Sequence, residues 1–179
     1  MSDIETQRPA GIRTAQREAT RTALLEVAVS TLIERGVRGT TTLEVQQRAG
    51  VSRGNLLHHF PTQAQLLAAT VAELVRRNEE GIWLEYARFD RALDPLAAAI
   101  RTLVMAGTSP ANAAELELWA VARTDPALRA VLREAERSAL KERKRVMDRL
   151  FEAVADKPGC DLVISLSLEF TRGLALSDV

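Results

Sequence analysis

The 179-residue chain reads as all-α: a three-helix N-terminal unit built around a helix-turn-helix, followed by a larger helical unit. Three observations predict this. Ala, Leu, Glu and Arg abound while aromatic residues make up 4% and glycines number 9, a mix that favours helix. Apolar residues recur at three- and four-residue spacing along most of the chain. Helix-start signals punctuate it: Thr41 and Thr62 each stand three residues before a Glu or Gln, and Asp94, Ser109 and Asp125 each stand directly before a proline.

Residues 1–13 are polar, lack the apolar core of a secretion signal, and read as a flexible arm. A helix is predicted over 14–35, with Leu25, Ala28, Val29, Leu32 and Ile33 on one face and Gly36 as its stop. Thr41 and Glu44 form a capping box for a short helix over 42–49, which Gly50 breaks. Ser52 caps a second short helix running to His59, and Phe60-Pro61 ends it. Thr62 with Gln65 opens a longer helix carrying Leu66, Leu67, Val71, Leu74 and Val75.

Further helices start near 95, 110 and 126, each with proline at its first position, where a missing N–H costs nothing. The last is long, with Leu128, Val131, Leu132, Ala135, Ala139, Val146, Leu150 and Val154 on one side and a charged, solvated stretch over 141–145. Lys157-Pro158-Gly159 ends it. In the segment 161–179, Ile164, Leu166, Leu168 and Phe170 alternate with polar residues, a strand signal. No second strand candidate exists to pair with it, so it reads as a helix apolar on most sides. The sequence stops while still apolar, which leaves open a missing C-terminal piece. The predicted division is an arm over 1–13, a helix-turn-helix domain over 14–61 and a helical domain over 62–179.

Hydrophobic residues at 46% and charged residues at 27% argue against disorder. A single cysteine, Cys160, excludes an internal disulfide framework and a multi-cysteine zinc or iron–sulfur site, and fits a reducing cytoplasm. No run of about 18 apolar residues occurs, so no membrane span is expected. The sequence holds no Gly-rich phosphate loop, no G-x-S-x-G and no H-E-x-x-H, and its two histidines are adjacent in the second short helix. Neither catalysis nor a cofactor is expected. Side chains of neighbouring helical residues diverge by about 100°, so His58 and His59 are poor joint metal ligands and no metal site is expected.

Net charge is zero, but unevenly spread. Residues 8–63 hold eight arginines (8, 13, 17, 21, 35, 38, 48 and 53) against four glutamates, and residues 64–179 hold 16 basic against 18 acidic residues. A basic head on a slightly acidic body suits a DNA contact, although a small imbalance also arises by chance.

The informative stretch is 40–63, TTTLEVQQRAGVSRGNLLHHFPTQ. Gly50 suits the left-handed backbone of the turn, and Val45, Ala49, Val51, Leu56 and Phe60 are apolar where two helices must meet. The second helix is then free to enter the DNA major groove. The string AGVSRGNLLHHFPTQAQLL, with the preceding helix ending Glu34-Arg35-Gly36, resembles the N-terminal domain of the TetR family of bacterial transcriptional regulators over residues 14–75. The segment from Trp119 through Asp125-Pro126 into a long helix is similar to regulatory domains of that family, less diagnostically. The resemblance implies a homodimer of about nine helices per chain, a palindromic double-stranded operator, and a small-molecule effector that pulls the two heads out of register. A repressor is the expected sign of regulation.

The sequence departs from the family pattern at three places. Leu57 stands where a phosphate-touching Tyr is common, Gln63 where a phosphate-touching Lys is common, and Gln46 where a small residue packs between helices. Fewer phosphate contacts mean weaker binding and a shallower salt slope, unless Arg13, Arg17 and the arm compensate. The alternative reading is therefore a helical small-molecule-binding protein whose DNA-reading head is weakened or lost; a helical scaffold or enzyme with no effector is a third.

The candidate DNA-binding residues are Thr41, Ser52, Arg53, Gly54, Asn55, Leu57, His58 and Gln63. Arg53 suits guanine O6 and N7 or a phosphate, Gly54 lets backbone approach DNA, Asn55 suits adenine, and Thr41 offers a helix-terminal N–H to phosphate or simply caps. Leu57 is an apolar contact or a lost function, and His59 packs or caps. The candidate effector-binding residues are Trp83, Tyr86, Met105, Trp119, Arg123 and Met147, with Phe89 as a further large side chain. The plainer reading of each is an ordinary core residue. Trp119 and Arg123 lie four apart and face one way. The long helix from Pro126 and the apolar segment 162–176 are expected to pack against their copies in a partner chain.

Overall fold

Eight α-helices and one 3-10 turn build residues 10–88 and 94–177, the part of the chain that the computed structural model describes. They are α1 (Ala10–Gly39), α2 (Thr42–Ala49), α3 (Arg53–His59), α4 (Gln63–Tyr86), α5 (Pro95–Gly107), α6 (Pro110–Ala122), α7 (Pro126–Leu150), the 3-10 turn Glu152–Val154, and α8 (Cys160–Ser177). No strand occurs among the described residues.

The helix boundaries follow the capping chemistry. Thr41, Ser52, Thr62, Asp94, Ser109 and Asp125 each accept a hydrogen bond from the N–H three residues on. Thr62 and Gln65 form the full reciprocal box. Thr41 and Glu44 form only half of theirs, because the Glu44 carboxylate is drawn instead to Arg35 at 2.8 Å and Arg48 at 3.2 Å. The first helix starts at Ala10, earlier than expected, so residues 10–13 of the anticipated arm are helical; nothing in that stretch stops a helix once begun. Residues 1–9 of that arm, and Phe89, lie outside the described residues. Gly36 sits inside the α1 span at φ 64°, ψ −173°, so the helix is kinked where it was expected to end. The terminal segment is helical through Ser177, without a partner strand.

Three apolar clusters result. The first joins Leu24, Leu25 and Ala28 of α1, Val45 of α2, Leu56 and Phe60 around α3, and Leu66 of α4. The second joins Val29 and Leu32 of α1, Val71, Leu74 and Val75 of α4, Leu118 of α6, and Leu128 and Leu132 of α7. The third joins Leu103 of α5, Val146 and Leu150 of α7, and Phe151, with Trp83, Tyr86, Ile164 and Leu168 packed on it. Both α1 and α4 serve the first two clusters, so the helix-turn-helix head and the helical body share two helices.

Leu128, Leu132, Ala135, Val146 and Leu150 on the apolar stripe of α7 are buried within their own chain, because α4 lies along α7 and takes that stripe, while Leu140 stays largely exposed. The inner face of α8 (Ile164, Leu168) packs on the third cluster, while Leu162, Val163, Leu166 and Phe170 face outward.

Among the described residues the buried polar ones are Thr31, Thr40, Thr70, Thr102, Thr171, Glu79 and Glu115. Each of the five threonines donates its hydroxyl to a carbonyl four residues back, which makes it cheap to bury. The two glutamates have no such local remedy.

Candidate nucleic-acid interface and ligand cavity

Helix α3 is held by one face. Leu56 and Phe60 are buried at 1% and 2% exposure, and the Arg21 guanidinium lies 5.4 Å from the Phe60 ring centroid. The turn before it needs Gly50, which sits at φ 64°, ψ 26° and donates to the carbonyls that end α2. Ser52 Oγ accepts from the Asn55 N–H at 3.2 Å and fixes the first turn. The opposite face presents Arg53, Gly54, Asn55 and His58, all exposed, and a Cβ at Gly54 would meet nothing within 4 Å. Thus Ser52, Arg53, Gly54, Asn55 and His58 share one solvent-facing surface.

Three other candidates stand differently. Leu57 is half-buried against the first cluster. The Thr41 N–H donates to the Gly39 carbonyl at 3.0 Å and is not spare for phosphate, while its side chain caps α2. Gln63 is used at both ends of its amide: Nε2 donates to the Thr40 carbonyl at 2.6 Å, and Oε1 accepts the Thr42 N–H at 2.8 Å. It clamps the start of α4 to the start of α2. His59 turns toward α1; burial, then the charges of His58, Arg17 and Arg21, hold its imidazole below the ordinary histidine value. Its ring lies edge-on to His58, centroids 5.4 Å apart.

The head is braced from behind by charge. Arg48 pairs with Glu34 and Glu44 and donates to Thr31 Oγ1 at 3.2 Å, so Arg35 and Arg48 are spent inside the head, while Arg17, Arg38 and Arg53 remain exposed.

A cavity of about 500 Å³ opens in the body between α4, α5, α6, α7 and α8. Its walls are mainly apolar: Ile82, Leu103, Leu116, Trp119, Met147 and Leu168. Its polar lining is Asn78 and Glu79 of α4, Asn112 and Glu115 of α6, Glu136 and Arg143 of α7, and Thr171. Arg143 lies 3.7 Å from Glu79, 3.7 Å from Glu115 and 3.5 Å from Glu136. Asn78 Nδ2 donates to Glu115 Oε2, but Asn78 Oδ1 and Glu79 Oε1 accept no hydrogen bond. Burial pushes the Glu79 carboxyl up, against the pull of Arg143.

Of the six expected effector contacts, Trp119 and Met147 line this cavity. Trp83 and Tyr86 instead pack edge-on, ring centroids 6.0 Å apart, on the third cluster. Met105 is 52% exposed on the outer side of α5. Arg123 ends α6 on a shallow depression shared with Arg129 and Arg133, and Trp119 touches both places. Sequence reasoning missed Glu79, Glu115, Glu136 and Arg143. Two of them carried a signal: Glu79 continues the inward spacing of Val71 and Val75, and Glu115 that of Leu118 and Ala122. Among the described residues no group of three or more His, Cys, Asp or Glu is placed to hold a metal ion, and no helix is long and apolar enough to cross a membrane.

Comparison with known proteins agrees with this layout. The family described as "Bacterial regulatory proteins, tetR family" matches residues 24–70, from the middle of α1 to the first turns of α4. An uncharacterised HTH-type transcriptional regulator of Mycobacterium tuberculosis is 38% identical over 119 residues, which cover 65% of this chain and 60% of that protein. The chain therefore spans about 60% of the length of the curated relatives it matches. Among solved structures, a transcriptional regulator of Rhodococcus superposes with a TM-score of 0.61 at 22% identity, covering 88% of this chain and 82% of that one. A protein of Saccharomonospora viridis in complex with choline superposes with a TM-score of 0.61 at 19% identity, covering 89% and 84%. These two share the fold. With the family match lying on the helix-turn-helix and the curated relative extending beyond it, residues 24–70 carry the DNA-binding motif of the TetR family of bacterial regulatory proteins.

Proposed function

We propose that this protein is a dimeric transcriptional repressor that grips a palindromic double-stranded operator with α3 and releases it when a small molecule enters the body cavity. The observation that carries the reading is the pairing of a pinned inner face (Leu56, Phe60) with an exposed outer face (Arg53, Gly54, Asn55, His58) on one short helix. Arg53 is the base or phosphate contact, Asn55 the adenine reader, and Gly54 the place where backbone approaches the duplex. Ser52, Thr41 and Gln63 fix the geometry of that surface from within the protein. The outward stripe Leu162, Val163, Leu166 and Phe170 supplies the face that a second copy covers, and two copies present two heads to a two-fold symmetric site. The choline held by the S. viridis protein is consistent with a small-molecule role for this body.

Selection of bound DNA from a random pool, at a stated salt concentration, tests the reading. A palindromic consensus is expected. Arg53→Ala should then cost about 1–3 kcal/mol and relax preference at one position of each half-site. Unchanged affinity and preference would remove Arg53 as a reader.

A second reading is a helical ligand-binding protein with a weakened head. Leu57 is half-buried and the Gln63 amide is engaged at both its nitrogen and its oxygen by backbone, so two places where the family commonly touches phosphate are turned to packing and clamping. Absence of any salt-sensitive, sequence-preferring shift with the DNA flanking its own gene would favour this reading.

A further inference from the structure

The body cavity has one guanidinium for three carboxylates. Charge-assisted hydrogen bonds close to about 2.7–2.9 Å when a pair is satisfied. Arg143 reaches none of its three partners at that distance; it stands at 3.5–3.7 Å from Glu79, Glu115 and Glu136, shared among them. Glu79 is 6% exposed and Glu115 8%, so water does little to screen either. Glu79 Oε1 lies on the cavity wall and accepts no hydrogen bond. Asn78 Nδ2 donates to Glu115 Oε2, but the acidic end otherwise has only the distant, shared Arg143, and it faces a largely apolar chamber walled by Leu103, Trp119, Met147 and Leu168. The carboxylates do not form a metal-binding group, which leaves an organic cation as the partner of matching chemistry.

We infer that the cavity takes a lipophilic organic cation, its ammonium or amidinium group seated beside Glu79 and Glu115 and its apolar body against Trp119 and Met147. The inference rests on the reading of this cavity as the effector site. A cavity of about 500 Å³ is within the range that encloses a drug-sized molecule. The Trp119 side chain supplies a large apolar wall for the body of such a ligand.

Three probes with one phenylbutyl body separate charge from shape: 4-phenylbutylamine, 4-phenylbutanol and 4-phenylbutyrate, each titrated calorimetrically into the full chain at neutral pH. The amine is expected to bind at least about tenfold more tightly than the alcohol, with the carboxylate weakest. Glu79→Gln and Glu115→Gln should each cut amine affinity about tenfold and leave the alcohol within about twofold. Ala106 of α5 also lines the cavity, so Ala106→Phe, which fills the chamber, should abolish binding of amine and alcohol alike. If the helical circular-dichroism signal shows that a buried Gln variant does not fold, Glu136→Gln at the more exposed rim carries the same comparison. Alcohol or carboxylate binding as tightly as the amine, in a manner Ala106→Phe blocks, would overturn the cation inference and leave the effector cavity standing. Binding of none of the three, or binding that Ala106→Phe does not touch, would overturn both.

Discussion

In the head, Leu24, Leu25, Ala28, Val45, Leu56, Phe60 and Leu66 meet with no buried carboxylate among them. Farther along α4, the body seats Glu79 and Glu115 almost out of water, beside a chamber of about 500 Å³. One core is apolar throughout; the other holds space and unbalanced charge. Filled apolar cores convert nearly all their burial into stability, whereas buried, imperfectly paired carboxylates cost free energy in the empty protein. The difference teaches that stiffness has been placed where a surface must keep its shape, and that the body gives up stability where something else is to be received.

Substitutions can break or sharpen that contrast. The largest effect is expected for Leu56→Ala, which empties the centre of the head: about 2–5 kcal/mol lost in a denaturant or thermal melt, with α3 no longer held. A loss below about 1 kcal/mol would mean the head is looser than its packing implies. Next comes Gly36→Ala. Its backbone is left-handed, and an added Cβ would stand 2.5 Å from Glu117 Oε1 on α6. A cost of about 1–2 kcal/mol is expected, and because Glu117 can swing aside, Glu117→Ala should recover little of it.

In the body the sign should reverse. Glu79→Leu leaves Arg143 with Glu115 and Glu136, so no charge is orphaned, and a gain of about 1 kcal/mol in the empty protein is expected. A loss of that size would mean that Arg143 already satisfies Glu79.

The smallest effect concerns pH. Arg76 and Arg77 hydrogen-bond Glu73, whose carboxyl is thereby held down to about 2 from an ordinary 4.5. A lowered carboxyl contributes stability above its unfolded value and loses that contribution as pH falls from about 4.5 toward about 2. Glu73→Gln should flatten the acid limb of the stability curve in that window and leave the rest of the curve's shape unchanged.

The sequence made the helical frame legible because its signals are local. Capping side chains act three residues away, and prolines after Asp94, Ser109 and Asp125 mark first helical positions whatever the tertiary structure does. The exposed surface of α3 was equally readable, since Leu56 and Phe60 define its hidden side. Gln63 was not: its clamp joins residues 21 and 23 positions apart, and a polar side chain at a helix start looks the same whether it meets backbone or phosphate. The acidic chamber was harder still. Glu79, Glu115 and Arg143 come from three helices, and only their convergence gives them meaning. A glutamate on an otherwise apolar stripe was the available clue.

Helix α4 puts Leu66 in one core and Glu79 on the wall of the chamber, 13 residues or about 20 Å apart along one rod. Two cores threaded by an unbroken helix cannot melt separately without fraying it in the middle, so the folded state is expected to come apart as a unit. Occupancy of the chamber should then protect amides of the reading head from solvent hydrogen exchange, at a distance and without touching them.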